Sequence, residues 1–373
     1  MQIGIDAKRA IYNSRGLGNY SRDLIRILTE QYPEHSYLLF YAKMAKTTFM
    51  DCPNTCKIIE PGNTFYQRFP SIWRSVGIPS EYTRQKLDIY HGLSNELPYK
   101  LGKSTTRTVL TMHDLIFLKF PKLYPWVDQV IYREKYLSSC KRADSIIAIS
   151  LQTKNDLIEL AGVDENKIKV IHQGCNPIFI KKSSLGQLSE IRKKYNLPKD
   201  FILTVGAIEE RKNQLLIVDA LKEGKIDLPL VIVGRPVGNW QEVIEHRISK
   251  IGLAGKVVIL NDVPTIDLPA LYQLSSLFVY PSMYEGFGIP LLESLASGVP
   301  AISSKGSCLE EAGGSGSLYI DPLNVSELGF VMNQVLSDTK KREQMVQDGY
   351  KHIKRFSDKV IADKVMGVYS SLI

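Results

Sequence analysis

Cysteine is scarce in this sequence, and no long hydrophobic run occurs. Five scattered cysteines, with only Cys52 and Cys56 close together in "CPNTC", argue against a disulfide framework and against a four-ligand zinc site. No apolar stretch approaches the roughly 18–20 residues that cross a bilayer, and the start "MQIGID" indicates a strand rather than a secretory signal. We therefore expect a cytoplasmic protein, with peripheral contact to the inner membrane face left open.

The positive charge of the chain is concentrated in its first half. Residues 1–180 carry 24 Lys+Arg against 17 Asp+Glu, a net of +7, whereas the remainder carries 23 against 22, a net of +1. A basic half suits an acidic partner, either nucleic acid, an anionic membrane surface or a phosphorylated small molecule. Nucleic acid is the least supported of these, because the basic residues are dispersed and no recognition motif accompanies them.

The length and the strand pattern predict two α/β domains. A chain of 373 residues exceeds what one hydrophobic core usually fills. Short apolar runs that end in Gly, Asp or His before helical patterns are typical of parallel, doubly wound sheets. The runs predicted as strands are "QIGID", "YLLFYA", "CKIIE", "DIYHG", "RTVLTMHD", "SIIAIS", "IKVIHQG", "FILTVGA", "LPLVIVG", "KVVIL", "LFVYPS" and "PAISS".

The predicted domain boundary lies near Phe179, where the polar stretch 180–199 separates two strand patterns. The first domain is then 1–179 and the second is 180–356. The last segment, 357–373, has apolar residues at helical spacing, among them Val360, Val365 and Tyr369. We expect it to form an amphipathic helix that needs a surface to pack on.

The segment "YEGFGIPLLESLASGVPAIS", residues 284–303, carries two glutamates around a predicted helix start. Pro290 suits the first turn of a helix, and Gly298 would end it. Glu285 therefore precedes the helix and Glu293 lies one turn inside it. The two carboxylates can then accept hydrogen bonds from hydroxyl groups on either side of a ligand bound at the helix start.

The glycines of the same segment favour an anion at that helix start. Gly286 and Gly288 allow the backbone to approach a ligand, and the first N–H groups of a helix have no intrahelical partner. Carboxylates do not bind phosphate, but they accept hydrogen bonds from the hydroxyls of a sugar or a ribose on either side of a diphosphate. The alternative is a capped helix with two solvated glutamates.

A second candidate group lies in "TVGAIEERKNQLLIVDAL", residues 204–221. The strand ends at Gly206, and a short loop brings Arg211 and Lys212 to the carboxyl edge of the predicted sheet, where ligands bind in open α/β folds. Adjacent Arg and Lys side chains suit a diphosphate and the charge that grows on it as a leaving group. Two solvated cations at a helix start are the less favoured alternative, because the helix dipole disfavours them there.

Three features of the first domain are also candidates. His113 follows the strand "RTVL" and could hydrogen-bond a substrate hydroxyl, with satisfaction of a loop carbonyl as the alternative, and His91 occupies a similar place with weaker support. Gly16 and Gly18, in "NSRGLGNYSRDL", predict a flexible loop before a helix. Residues 63–86 interleave aromatic and basic side chains, which suits either a lipid surface or the apolar side of a helix pair.

Taken in order, these motifs resemble the retaining nucleotide-sugar glycosyltransferases of family 4, the "group 1" family with the GT-B fold. The most specific part is the E-x7-E pattern within "FVYPSMYEGFGIPLLESLASGVPAISS". The pair "RGLGNYSRDL" and "MHDLIFLKFP" is similar to the mannosyltransferase-like subgroup that builds bacterial surface polysaccharides. The resemblance implies two Rossmann-like domains, with parallel sheets facing a central cleft and the last helix crossing back onto the first domain.

The resemblance also implies roles for single residues. Arg211 and Lys212 would bind the diphosphate, Glu285 the donor sugar and Glu293 the ribose, while His113 would approach the sugar from the first domain. Gly16 and Gly18 would face the acceptor. The implied donor-binding residues are Gly206, Gly286, Phe287, Gly288, Ile289, Leu292 and Glu293.

The function expected from these residues is transfer of a hexose, with mannose from GDP-mannose as the best choice, to a glycan or lipid-linked acceptor. The resemblance implies retention at the anomeric carbon, and no carboxylate stands out as a nucleophile. We expect no metal or other cofactor, because no D-x-D motif occurs. Two alternatives stay open: a nucleotide-sugar epimerase of the same fold, and a non-catalytic module that binds sugar nucleotides or glycans.

Overall fold

The computed structural model describes residues 1–42, 48–50, 52–99 and 105–373. The chain forms two compact units, the first being Met1–Gly174 with Phe356–Ile373 and the second Cys175–Arg355. The division falls a few residues before the boundary predicted near Phe179. Phe179 belongs to the second unit because its ring packs against Tyr272, with the ring centroids 5.8 Å apart.

The first unit is built on a parallel sheet. Its strand order is β3-β2-β1-β4-β5-β6-β7. All of its strands are among the predicted runs. The strands are β1 (Gln2–Asp6), β2 (Ser36–Phe40), β3 (Cys56–Ile59), β4 (Ile89–Gly92), β5 (Arg107–Met112), β6 (Ser145–Ala148) and β7 (Ile168–Val170).

The second unit repeats this plan. Its sheet is also parallel, in the order β10-β9-β8-β11-β12-β13. The sequence prediction missed β13, the short edge strand "SLYI". The strands are β8 (Ile202–Val205), β9 (Leu230–Val233), β10 (Val257–Leu260), β11 (Leu277–Tyr280), β12 (Ala301–Ser304) and β13 (Ser317–Ile320).

Helices join the strands in both units. Those of the first unit before its final helix are α1 (Lys8–Tyr12), α2 (Gly16–Gln31), α3 (Thr64–Arg68), α4 (Pro70–Ile72), α5 (Ile78–Arg84), α6 (Ile116–Lys119), α7 (Trp126–Arg142) and α8 (Leu151–Ala161). Those of the second unit are α9 (Leu185–Lys194), α10 (Gln214–Glu223), α11 (Trp240–Lys250), α12 (Leu268–Leu274), α13 (Ile289–Ala296), α14 (Cys308–Gly313), α15 (Val325–Ser337) and α16 (Thr339–Ile353).

Both faces of the first sheet are buried, as the apolar strands require. Along β2, Tyr37 and Leu39 join the hydrophobic cluster that contains α1 and α2 residues. Leu38 and Phe40, which point the other way, join a second cluster with residues of α5 to α8. This alternation holds the strands rigidly, so that the segments leaving their carboxyl ends have fixed starting points.

The chain ends in the predicted amphipathic helix, α17 (Asp358–Ser370), which packs on the first unit. Its apolar face lies in the same cluster as α2, and Val365 is 1% exposed. Asp358 forms an ion pair with Arg26 of α2 at 2.7 Å. The prediction that this segment returns to the first domain is confirmed.

Each sheet has one point at which the strand order reverses. In the first sheet this switch point lies between β1 and β4, and in the second it lies between β8 and β11. In such sheets the crevice outside the carboxyl ends of these two strands is the usual ligand site.

No helix in the described part of the chain combines the length and apolar character needed to cross a bilayer.

Candidate active site

The predicted cations and the first glutamate meet at the switch point of the second sheet. Arg211 and Lys212 lie in a single 3-10 turn, Glu210–Lys212, between β8 and α10. Glu285 lies between β11 and α13. Because β8 and β11 are neighbours in the sheet, the two segments start side by side.

One carboxylate binds both cations. Lys212 Nζ lies 2.5 Å from Glu285 Oε1, and Arg211 NH1 lies 3.0 Å from Glu285 Oε2. All three side chains are largely buried, with exposed fractions of 10–15%. The sequence placed these residues in one site but did not predict that they contact each other.

Two hydroxyl groups complete the environment of Glu285. Ser282 Oγ donates to Glu285 Oε1 at 2.6 Å. Tyr280 donates to the same oxygen at 2.9 Å and accepts a hydrogen bond from Lys212 Nζ at 2.7 Å. The carboxylate therefore needs no further protein donor on Oε1. Sequence reasoning missed Tyr280 and Ser282, although polar side chains at or just beyond the carboxyl end of a buried strand are the signal that could have identified them.

Arg211 is also fixed from its other side. Its NH2 group donates to Glu209 Oε1 at 2.5 Å, and its NH1 group donates to the carbonyl oxygen of Tyr284 at 2.5 Å. The Arg211 carbonyl in turn accepts from the N–H of Met283 at 2.9 Å. Side-chain and backbone bonds thus join the two loops at the switch point.

The electrostatics of this cluster favour the charged forms of Glu285 and Arg211, and burial opposes the charge of Lys212. Burial would raise the pKa of Glu285, but the adjacent Lys212 and Arg211 outweigh it and lower the pKa to about 2. For Arg211 the burial effect is outweighed by Glu285 and Glu209, and its pKa rises. Burial and the nearby Arg211 lower the pKa of Lys212, against the opposing attraction of Glu285. The site can present desolvated, oriented positive charge to an anion.

Gly206 lies directly against the lysine. Its φ of +154° is a conformation that side chains rarely adopt, and a Cβ at this position would lie 3.8 Å from the Lys212 side chain. The predicted donor-binding glycine is therefore next to the cationic cluster.

The start of α13 has the geometry expected of an anion site. Gly288 has a φ of +122°, and a Cβ there would come within 2.7 Å of the Leu309 side chain. Pro290 occupies the first turn of the eight-residue helix that begins at Ile289. Pro290 has no N–H, and the N–H groups of Leu291 and Leu292 donate to the Gly288 carbonyl at 3.0 and 3.3 Å, so the N–H group at this helix start that suits an anion is that of Ile289.

The remaining donor-side residues are more buried than the sequence suggested. Phe287 is 2% exposed and Leu292 is fully buried, so the Leu292 side chain lies in the core. Glu293 is 8% exposed and accepts a hydrogen bond from Tyr272 at 2.9 Å. Sequence reasoning did not identify Tyr272, which holds this carboxylate in position.

His113, the candidate of the first unit, already has hydrogen-bond partners on both ring nitrogens. Nε2 lies 2.8 Å from the Leu93 carbonyl oxygen, and Nδ1 lies 3.2 Å from Gln173 Nε2. Because a carbonyl only accepts, Nε2 carries the proton and Nδ1 accepts from the Gln173 amide. Burial lowers the pKa of His113 to about 4, against the effect of the Leu93 carbonyl. The imidazole is therefore neutral at pH 7.

His91 has a different place from His113. It is fully buried, and its ring nitrogens lie 2.7 Å from the Tyr369 hydroxyl and 2.9 Å from Thr111 Oγ1. Burial lowers its pKa to about 3. His91 thus links β4 to the C-terminal helix and to β5.

The predicted glycine loop is part of a helix. Gly16 is the first residue of α2, and Gly18 lies in its first turn. A Cβ on Gly18 would be 1.7 Å from the carbonyl oxygen of Asn13, whereas a Cβ on Gly16 would meet nothing within 4 Å. Gly18 allows close packing of α2 on the preceding turn. The predicted flexible loop is therefore wrong at these two glycines, which lie in the first turn of a packed helix.

The aromatic segment 63–86 is divided between surface and core. Phe65, Phe69 and Ile72 are 54%, 45% and 41% exposed, whereas Trp73 is 2% exposed. Arg74 forms ion pairs with the buried Asp6 and the half-buried Glu96. Trp73 fits the interpretation of an apolar packing side, and the lipid-surface interpretation stays a prediction for the exposed residues.

Two family models match successive parts of the chain. The family model described as "Glycosyltransferase Family 4" matches residues 15–178, and the model described as "Glycosyl transferases group 1" matches residues 188–352. The chain is similar to the O-antigen chain mannosyltransferase B of Escherichia coli, at 31% identity over 76% of this chain and 74% of that protein. The chain belongs to glycosyltransferase family 4.

A second relative and a solved structure extend the likeness. The serotype-specific mannosyltransferase WbdA of Escherichia coli is 31% identical over 62% of this chain, which spans 29% of the length of WbdA. The structure of Anabaena HepE in complex with UDP and glucose is 19% identical, covers 100% of both chains and has a TM-score of 0.74. This likeness confirms the predicted GT-B fold class, and the chain is a glycosyltransferase by its family.

Proposed function

We propose that the chain is a retaining transferase that moves mannose from GDP-mannose to a glycan or lipid-linked acceptor in bacterial surface polysaccharide synthesis. The observation that carries this proposal is the buried cluster in which Arg211 and Lys212 share the Glu285 carboxylate. The names of the two relatives favour mannose and a surface polysaccharide. The UDP and glucose bound to HepE favour a nucleotide sugar as donor.

In this proposal the diphosphate of the donor binds at the second switch point. Arg211 and Lys212 face its oxygens, and the start of α13 adds the backbone N–H of Ile289. Glu285 holds both cations and accepts hydrogen bonds from hydroxyls of the sugar. Glu293, fixed by Tyr272, accepts from the ribose.

The proposed reaction proceeds with retention. The bond between the anomeric carbon and the diphosphate oxygen breaks, and the acceptor oxygen bonds to that carbon on the same face. The proton of the acceptor hydroxyl passes to the departing diphosphate, whose added negative charge Arg211 and Lys212 stabilise. The anomeric configuration of the product, measured by NMR, tests this step, since an inverted product would contradict it.

His113 is proposed to contact the sugar through Nδ1. Its bond to Gln173, at 3.2 Å, is longer than the 2.8 Å bond between Nε2 and the Leu93 carbonyl. A sugar hydroxyl that replaced Gln173 at Nδ1 would donate to a neutral imidazole whose orientation Leu93 keeps. We expect His113→Ala to raise the KM for the donor and Gln173→Ala to have a smaller effect.

We also propose that the reaction needs no metal. The two cations at Glu285 supply the positive charge that a divalent ion would otherwise bring to the diphosphate. Turnover in the presence of EDTA should equal turnover with added Mg²⁺ or Mn²⁺. Loss of activity in EDTA that is restored by either ion would contradict this part of the proposal.

Peripheral contact with an anionic membrane is proposed for the exposed part of the aromatic segment. Phe65, Phe69 and Ile72 offer apolar surface, and the exposed Arg68 lies between the two phenylalanines. Binding to phosphatidylglycerol vesicles should fall in Phe65→Ser/Phe69→Ser. Equal binding by this variant and the unmodified chain would contradict the contact.

Thermal-shift screening against a panel of GDP- and UDP-sugars tests the donor assignment. A ligand at 100 times its dissociation constant adds about 2.7 kcal/mol to the free energy of unfolding, and we expect the largest shift with GDP-mannose. No shift with any sugar nucleotide would overturn the proposal. Binding without nucleotide release, whatever the acceptor, would indicate the non-catalytic module, and an epimer formed from donor alone would indicate the epimerase.

A further inference from the structure

Two cations follow the first strand of the chain, at the switch point of the first sheet. Lys8 and Arg9 open α1 directly after β1, which is the neighbour of β4. Both are half-buried. The donor site proposed above uses neither of them, and this switch point corresponds to the one that holds Arg211 and Lys212 in the second sheet.

The nearest carboxylates are already bound by another cation. Arg74 NH2 lies 2.6 Å from Asp6 Oδ2, and Arg74 NH1 lies 2.7 Å from Glu96 Oε2. Arg74 Nε donates to the same Asp6 oxygen at 2.8 Å. Asp6 ends β1 and Glu96 follows β4, so Arg74 bridges the two strands of the switch point.

Lys8 and Arg9 stay outside this bridge. Arg9 Nε is buried and has no hydrogen-bond partner among the described residues, which is costly for a guanidinium group. The Lys8 N–H donates to Asp6 Oδ1 at 3.1 Å, but the ion pairs of Asp6 and Glu96 in the described residues go to Arg74. The carboxylate that follows β5, Asp114, accepts from the N–H of Ile116 at 3.1 Å.

The surroundings of both cations are electropositive. Burial lowers the pKa of Lys8, and repulsion by Arg74 and Arg9 lowers it further, against the weaker attraction of Asp6 and Glu96. Arg9 also contributes to the lowered pKa of His113. The field of Arg9 therefore reaches the histidine that follows β5, on the same edge of the sheet.

We propose that Lys8 and Arg9 bind a phosphate group of the acceptor. The planar guanidinium of Arg9 would gain the partner that its buried Nε lacks, and Lys8 would contribute a second charge-assisted hydrogen bond. That the phosphate belongs to the acceptor rests on the proposed function, in which Arg211 and Lys212 bind the donor diphosphate. The phosphate could be that of a lipid-linked saccharide or of a soluble sugar phosphate.

Calorimetric titration of the full chain with inorganic pyrophosphate tests the site itself. The titration is done with and without saturating GDP or UDP, so that the nucleotide site is occupied in one arm. We expect pyrophosphate binding to persist with nucleotide bound and to weaken at least tenfold in Lys8→Gln/Arg9→Gln. The matched control, Lys122→Gln/Arg133→Gln, removes two exposed charges of the same unit and should bind as the unmodified chain does.

Three results of that titration would overturn the site: no pyrophosphate binding, complete competition by nucleotide, or unchanged binding by Lys8→Gln/Arg9→Gln. Circular dichroism and nucleotide affinity show whether the variant is folded. If it is not, Arg9→Lys alone, which keeps the charge and loses the planar fork, should still weaken pyrophosphate binding. Failure of both GDP and UDP to bind would count against the proposed function and not against this site.

Transfer assays identify the source of the phosphate. The acceptors are a neutral mannoside, the same mannoside carrying a phosphate, and an isoprenyl-pyrophosphate-linked saccharide in vesicles. We expect Lys8→Gln/Arg9→Gln to raise the KM at least tenfold for one or both phosphate-bearing acceptors, with kcat and the KM for the neutral mannoside unchanged. The acceptor whose KM rises identifies the source of the phosphate. An equal rise in the KM for the neutral mannoside would overturn the proposal.

Discussion

The two switch points differ in how their charges are arranged. In the second sheet two cations, Arg211 and Lys212, converge on the single carboxylate of Glu285. In the first sheet one cation, Arg74, is shared by the carboxylates of Asp6 and Glu96. The same strand order therefore supports two different ion-pair arrangements, one centred on a carboxylate and the other on a guanidinium group.

The histidines add to this contrast. His91 and His113 near the first switch point are buried and neutral, with pKa values lowered by burial to about 3 and about 4. Glu285 in the second unit is equally buried but ionised, because its two cations outweigh the cost of burial. One edge thus suits neutral hydroxyl groups and the other suits a diphosphate, while Lys8 and Arg9 give the first edge a smaller anion site.

The largest expected effect is on turnover, from removal of the lysine at the second switch point. Lys212→Ala takes away a cation that would stabilise charge on the departing diphosphate, so kcat should fall by about 10²–10³. Steady-state measurement of nucleotide release with saturating donor and acceptor provides the test. Lys222→Ala, at an exposed position of α10, is the control. Near-normal turnover by Lys212→Ala would contradict the assignment of the diphosphate to the second switch point.

The charge contrast also predicts two different acid sensitivities. Glu285 has a folded pKa of about 2 against an ordinary value of 4.5, so its contribution to stability is present above pH 4.5 and is lost as the pH falls towards 2. His91 and His113 have ordinary values of 6.5. The unfolded chain binds these two protons first, so the stability of the first unit begins to fall below pH 6.5.

Hydrogen exchange measured unit by unit at pH 7, 5 and 3 tests this order. Amides of the first unit should lose protection between pH 7 and pH 5, before those of the second unit. Glu285→Gln should flatten the later loss in the second unit and leave the earlier one unchanged. Earlier opening of the second unit would contradict the assignment of neutral histidines to the first.

Substitution of the two glycines at the start of α2 distinguishes a role in packing from a role in contact with the acceptor. Gly18→Ala should lower the free energy of unfolding by about 1–3 kcal/mol, because its Cβ would clash with the Asn13 carbonyl. Gly16→Ala has open space around it and should be neutral or stabilising by up to about 1 kcal/mol. Urea denaturation of both variants provides the measurement. A loss of turnover in Gly16→Ala without a loss of stability would support the predicted contact of this position with the acceptor.

Most of the fold could be predicted from the sequence, since buried parallel strands are continuous apolar runs. The missed strand β13, Ser317–Ile320, is a short edge strand that follows the Gly-Ser-Gly run 314–316, and four residues carry too little periodicity to be recognised. The start of α2 at Gly16 was also missed, because glycines before a helix favour a loop locally. Packing of Gly18 against Asn13, a tertiary contact, decides the outcome there.

The sequence predicts which residues belong to the candidate site better than it predicts which of them contact each other. The sequence identified Arg211, Lys212 and Glu285, because each is a charged residue just beyond a buried strand. Their mutual ion pairs depend on the adjacency of β8 and β11, strands that are far apart in sequence. The Glu293 bond to Tyr272 depends in the same way on the packing of α12 against α13, which no local pattern encodes.

The smallest expected effect concerns the C-terminal helix, which completes the first unit. Tyr369→Phe removes the hydroxyl 2.7 Å from His91 Nδ1 and leaves a buried nitrogen without its partner, at a cost of about 1–2 kcal/mol. Tyr32→Phe is the matched control, because it removes an exposed hydrogen bond to Asp363 of the same helix and should cost less than about 1 kcal/mol. Urea denaturation of both variants provides the comparison. If the two substitutions cost the same, the His91 bond is not what anchors this helix, and His91 would again be a candidate for contact with the acceptor.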